Sequence, residues 1–126
     1  MNNPPLAWIV DDEAVNRILA SAFLHRIGWQ TREFPNAQAV LQASEQGLPP
    51  LMIIDIRMPE MSGSDLVRVL RKHPQADQTR FIAYTAHCVN GEGDALLRDG
   101  FHQVLSKPVS FQQMRDAVQG DRHEPA

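Results

Sequence analysis

LMIIDIRMPEMSG, residues 51–63, is the stretch on which the fold turns. Its first four residues, Leu51 to Ile54, are apolar, too few for a helix and rich in isoleucine, which predicts a strand buried on both faces, as in a parallel sheet. Asp55 follows at the C-terminal end. A carboxylate does not belong at a buried position unless it is paired, bound to a metal or chemically used. Pro59 removes a backbone donor and drives Met58 out of the α region, so the chain must leave the sheet soon after Asp55, and Gly63 closes the turn. Ligands of open α/β sheets bind in the crevice beyond the carboxyl ends of the strands, which is where Asp55 is expected.

Working outward, residues 6–10 (LAWIV) form a second apolar run that ends in Asp11, Asp12 and Glu13. A helix is predicted over Ala14–Ile27, with Leu19, Phe23 and Ile27 four apart and Ala20 and Leu24 beside them, and Gly28 ends it. Residues 29–34 alternate weakly, as an edge strand does. Asn36 caps a helix running to about Gln46 that turns Val40 and Leu41 inward. A helix with Leu66, Val67, Val69 and Leu70 covers residues 65–73 and stops at Pro74. A fourth strand over residues 81–84 leads to Thr85, Ala86 and His87. The next helix, residues 89–99, carries Gly91 and Gly93, each of which costs about 1 kcal/mol relative to alanine, and Gly100 is placed to cap it. A fifth strand, residues 101–106, ends at Lys107 and Pro108. Ser110 and Gln113 make a capping box for a last helix whose apolar side is Phe111, Met114 and Val118. Five strands alternating with five helices predict an α/β fold, a parallel sheet with right-handed crossovers and helices on both faces.

The chain of 126 residues fits one domain, residues 1–120, followed by a polar tail over residues 121–126 that reads as a flexible end or a cut linker. With 43% hydrophobic and 21% charged residues it has the make-up of a soluble globular protein. A net charge of −3 argues against general binding to nucleic acid or to anionic membrane. The single cysteine, Cys88, cannot close an internal disulfide, which favours a reducing compartment; with no transmembrane run and no apolar leader core, a cytoplasmic location is expected.

All strand C-termini of a parallel sheet lie along one edge, so Asp11, Asp12, Asp55, Thr85 and Lys107 are expected to converge. Three neighbouring carboxylates raise one another's pKa unless a cation stands between them. An all-oxygen site with few protein ligands suits Mg²⁺, which keeps several waters and shares its coordination with phosphate. Asp55, lying deepest, is the candidate nucleophile, able to form an aspartyl-phosphate while the metal and the Lys107 ammonium neutralise the transferred oxygens. Thr85 can donate a hydrogen bond to one of them. Taken singly, Asp12 reads equally well as a helix cap and Lys107 as a solvated surface lysine. Their joint placement at four strand ends is what points to a site.

Four segments, WIVDDE (residues 8–13), IIDIRMPEMSG (53–63), YTAH (84–87) and LSKPVS (105–110), resemble in order and spacing the receiver domain of two-component response regulators, from Leu6 to Gln119. The resemblance implies a flavodoxin-like (βα)5 fold, with a five-stranded sheet in the order 2-1-3-4-5. It also implies an Mg²⁺-dependent transfer of a phosphoryl group from phosphohistidine to Asp55. Asp12 and Asp55 would then ligate the metal directly, Asp11 through water, and the Arg57 backbone carbonyl would complete the protein ligands. Thr85 would be the switch hydroxyl and Lys107 the phosphate-pairing cation, turned into the pocket by a cis peptide bond to Pro108. The implied partner is a histidine kinase or a histidine phosphotransfer domain, and the only catalysis is the receiver's own phosphotransfer and dephosphorylation. Asn16 and Arg17 after DDEAV, together with LSKPVS, look most like receivers attached to hybrid histidine kinases. The chain departs from the family pattern at Val104, where an aromatic is frequent, and carries bulky Arg57 and His87 two residues beyond Asp55 and Thr85.

An aspartyl-phosphate phosphatase is the first competing reading. Such enzymes carry a D-x-D motif at the nucleophile, whereas the second position here is Arg57 and the acid pair precedes the nucleophile. A receiver that serves only as a binding surface is the second, and it sits poorly with five intact site residues. Ala14, Ile18 and Ala22 form a further apolar row on the first helix, nearly opposite its inward side, and are the expected docking surface for a histidine-bearing helical partner.

Overall fold

The computed structural model describes residues 4–86 and 92–119. Its elements run β1 (Leu6–Val10), α1 (Ala14–Ile27), β2 (Gln30–Phe34), α2 (Ala37–Ser44), β3 (Leu51–Asp55), α3 (Gly63–Leu70), a 3₁₀ turn (Ala76–Gln78), β4 (Arg80–Thr85), α4 (Glu92–Asp99), β5 (Gln103–Ser106) and α5 (Phe111–Gln119). The strands pair in the order β2-β1-β3-β4-β5, all parallel, as expected for a flavodoxin-like sheet. Central β3 is buried at all five positions, which is why its sequence shows a continuous apolar run, while edge strand β2 exposes Gln30, Arg32 and Glu33.

Two apolar layers sandwich the sheet. Ala7, Ile9, Ile53, Ile82 and Tyr84 meet α1 and α5 through Ala20, Leu24, Met114 and Ala117. On the other face Val10, Met52, Ile54 and Phe81 meet α2, α3 and α4 through Val40, Leu66, Leu70 and Leu96. The punctuation read from the sequence recurs. Gly28 is left-handed at the end of α1, Asn36 caps α2 through the amide of Ala39, and Ser110 and Gln113 exchange the two hydrogen bonds of a capping box.

Three local expectations are corrected. Leu19 belongs outside, 41% exposed, because successive helix residues are turned by about 100° and it lies on the flank of the inward stripe centred on Ala20 and Leu24. Val69 is likewise exposed on α3, while Leu66, Val67 and Leu70 are buried. β5 begins at Gln103 and not at Phe101, whose amide still donates to the Leu96 carbonyl and so closes α4. The start of the helix expected from residue 89, with Gly91, lies outside the described residues, as do His87 and the tail; α4 is described from Glu92. No helix among the described residues is long and apolar enough to cross a membrane.

Candidate active site

The parallel register brings the ends of β1, β3, β4 and β5 to one edge of the sheet. Asp55 lies level with Tyr84, Tyr84 with Leu105, and Thr85 with Ser106. Carboxylate oxygens of Asp11, Asp12 and Asp55 lie within 4.8 Å of one another. Asp11 and Asp55 are buried and Asp12 is exposed, so the cluster opens to solvent on the Asp12 side. The Lys107 ammonium spans the two buried acids, donating to Asp11 Oδ2 at 2.9 Å and to Asp55 Oδ1 at 3.2 Å. Its backbone amide donates to the Thr85 carbonyl at 2.7 Å, tying the loop after β5 to the end of β4, and the Lys107–Pro108 bond is cis. Thr85 is fully buried. Asp11, Asp12, Asp55 and Lys107 come together as expected, and Thr85 joins them through its backbone carbonyl.

Asp11 is held from several sides. Its Oδ1 accepts from the Glu13 amide at 2.9 Å, and its carbonyl accepts from the Arg17 guanidinium at 2.7 Å. Arg17 in turn pairs with Glu33 at 3.3 Å, a brace from α1 to β2 that the sequence did not flag as part of the site. Glu13 occupies the capping position of α1 and makes no side-chain cap bond, so the reading of Asp12 as a helix cap falls away.

Burial pushes the Asp55 carboxyl up to about 6, and the Asp11 charge adds to this; the charge and hydrogen bond of Lys107 oppose it without overcoming it. Burial works against the Lys107 ammonium, yet the hydrogen bond to Asp11 and the charges of Asp11 and Asp55 outweigh it and leave its pKa raised. Lys107 is therefore a fixed cation. Three clustered carboxylates with one fixed cation leave an excess of negative charge, and their oxygens are hard donors of the kind a small divalent cation takes.

The Arg57 side chain is exposed and pairs with Glu92 at 3.6 Å, joining the loop after β3 to the first turn of α4. Val104 is half-buried against the α2–α4 layer. Ala14, Ile18 and Ala22 are exposed as expected, Ile18 by 62%, and Val15 at 76% and Leu19 extend the row. Tyr84 was not among the expected site residues, although its ring faces the Lys107 ammonium at 4.7 Å. The only signal was its position, an aromatic directly before Thr85.

The family model of the response regulator receiver domain matches residues 7–119. The chain is 37% identical over 101 residues to an uncharacterized 14.6 kDa protein in the sodA1 3′ region of Leptolyngbya boryana, covering 80% of this chain and 77% of that one. It is 32% identical over 103 residues to the aerobic respiration control sensor protein ArcB of Escherichia coli K12, covering 81% of this chain and 13% of that protein. Among solved structures, a putative response regulator from Chloroflexus aurantiacus superposes with a TM-score of 0.86 at 25% identity, covering 92% and 95% of the two chains. The receiver domain of a sensor histidine kinase from Pseudomonas aeruginosa, which holds a magnesium ion in its active site cleft, superposes with a TM-score of 0.83 at 22% identity, covering 92% and 95%. With its sheet order, its strand-end acids and the match over nearly its whole length, this chain belongs to the response regulator receiver domain family.

Proposed function

We propose that this chain is the phosphoacceptor of a two-component phosphorelay, taking a phosphoryl group from phosphohistidine onto Asp55 with Mg²⁺ bound beside it. The observation that carries the reading is the Lys107 ammonium spanning Asp11 and Asp55, in a carboxylate cluster that opens at Asp12. In the transfer an Asp55 oxygen attacks phosphorus, the P–N bond to the donor imidazole breaks, and the ring nitrogen leaves with the bonding pair. The three phosphoryl oxygens carry charge throughout, and Lys107 is placed to neutralise part of it. The Thr85 hydroxyl donates to one of these oxygens in the product and so reports phosphorylation to the end of β4.

In this reading Asp12 and Asp55 directly, Asp11 through water and the Arg57 backbone carbonyl would hold the metal, and the clustered oxygens of Asp11, Asp12 and Asp55 support it. Bound there, the cation supplies charge neutralisation for the attacking carboxylate and the transferred oxygens. The switch conformation replaces chemistry as output; there is no substrate to turn over beyond the phosphoryl group itself.

The partner in this reading is a histidine kinase or a histidine phosphotransfer domain, met in the cytoplasm. Three of the five exposed large apolar residues among those described, Val15, Ile18 and Leu19, lie on α1, the helix that follows Asp11 and Asp12. With Ala14 and Ala22 they form the face on which the donor's helices dock, bringing phosphohistidine over Asp55. The full-length kinase relatives are far longer than this chain, which spans 13% of ArcB, so a link to a hybrid kinase is part of the proposal.

A phosphohistidine domain carrying labelled phosphate tests the function. Label is expected to move to this chain in Mg²⁺, to stay on the donor with EDTA, and to stay there with Asp55→Asn. Repeated release of phosphate from many small esters would instead make it a phosphatase, and no transfer at all a binding module.

A further inference from the structure

Tyr84 is 2% exposed in β4, in the layer under α1 and α5 with Leu105, Val109 and Met114. Polar aromatic rings this deep ordinarily serve packing, but here a cation sits on the ring face. Lys107 Nζ lies 4.7 Å from the ring centroid while it donates to Asp11 and Asp55, and its side chain is 15% exposed. The face of an aromatic ring is its negative pole and attracts an ammonium without accepting a proton or competing for a metal. The ammonium thus has two carboxylates and one ring as attractors, drawn from β3, β4 and the residue just after β1.

We propose that Tyr84 is a positioning residue for Lys107: the ring face seats the ammonium in the crevice and keeps it there when the carboxylates' charge is shared with other groups. This rests on the phosphoacceptor reading above. Asp11 and Asp55 are the same groups assigned to the metal and to the phosphoryl group, so their pull on Lys107 weakens when either is in place. The ring's pull does not depend on those events. Lysine has a flexible four-carbon stem and a strongly hydrated head, so without a neutral attractor it gains freedom by swinging toward water. The seat therefore matters most when the carboxylates are engaged.

The hydroxyl has no part in this, and that separates the ring's role from ordinary packing. Tyr84→Phe keeps the ring, whereas Tyr84→Leu keeps an apolar side chain of lesser size and removes the face. Uptake of phosphoryl from acetyl phosphate and affinity for beryllofluoride, both with Mg²⁺, are expected to fall about tenfold in Tyr84→Leu and to stay near wild type in Tyr84→Phe. A second readout needs neither metal nor phosphate. Lys107 Nζ lies over the ring, so the ε-methylene protons on the adjoining carbon should resonate upfield in wild type and in Tyr84→Phe, returning to ordinary lysine positions in Tyr84→Leu. Equal losses in the Phe and Leu variants, or full retention in Leu, would overturn the proposal. An unshifted Lys107 resonance in wild type would overturn it even if Tyr84→Leu failed to fold. Should wild type bind no beryllofluoride while the upfield resonance is present, the phosphoacceptor reading falls and the seat stands.

Discussion

Gly63 rests directly against the backbone carbonyl of Asp55. A Cβ built on it would collide with that oxygen and lie 3.0 Å from both Ile54 Cγ2 and Ile56 Cα, while its amide donates to the Ile56 carbonyl at 2.9 Å. The glycine is required for space and not for an unusual backbone angle, because the first turn of α3 folds back onto the strand that carries Asp55. Gly63→Ala is expected to shift the end of β3, costing about 1–3 kcal/mol of stability. It should also weaken beryllofluoride binding, measured by titration with Mg²⁺. Unchanged stability and affinity would show that the loop yields freely.

The raised Asp55 pKa fixes the sign of a pH effect. With a folded value of about 6 against 3.8 for the free group, the folded chain holds a proton that the unfolded chain has lost between these limits. The ionised carboxylate therefore subtracts stability as pH rises through that window. In metal-free protein, wild type should lose on the order of 2–3 kcal/mol relative to Asp55→Asn between pH 4 and 7. Denaturant melts across this range check it, and parallel stability curves would count against a buried, unneutralised Asp55.

On α1, burying Ile18 at an interface is worth roughly 1.5–3 kcal/mol. Ile18→Asp should accordingly slow phosphoryl transfer from a protein donor by about an order of magnitude or more. Labelling by acetyl phosphate, which needs no docking, should be nearly unchanged. Equal slowing with both donors would mean that the exposed row serves the fold.

Activation is expected to run through Thr85 and α4. Val104 offers no aromatic to rotate inward, while the Arg57–Glu92 pair joins the loop after Asp55 to a helix already weakened by Gly93. Beryllofluoride should change amide exchange at Thr85, Ala86 and residues 92–96 more than at residues 103–105. The reverse order would place the switch at β5.

The order of elements was legible because apolar runs, prolines and glycines punctuate this sequence in a strand–helix rhythm, and β1, α1 and β3 match their expected bounds. Convergence of Asp11, Asp55 and Lys107 followed from parallel topology alone, since that topology stacks strand ends whatever the intervening loops do. Leu19 was misread because periodicity fixes a helix's inward direction only to within a residue or so, and the flank of the stripe is decided by what the sheet offers it. Contacts such as Tyr84 with Lys107, or Arg57 with Glu92, depend on side-chain direction across separate elements, which no local pattern encodes.

Incubation with acetyl phosphate and Mg²⁺, followed by borohydride reduction and peptide mass mapping, tests the role of Asp55 most directly. One phosphoryl group per chain is expected, with the reduced residue at position 55 and none formed in Asp55→Asn. Labelling that survives this substitution, or maps to Asp11 or Asp12, would contradict the assignment.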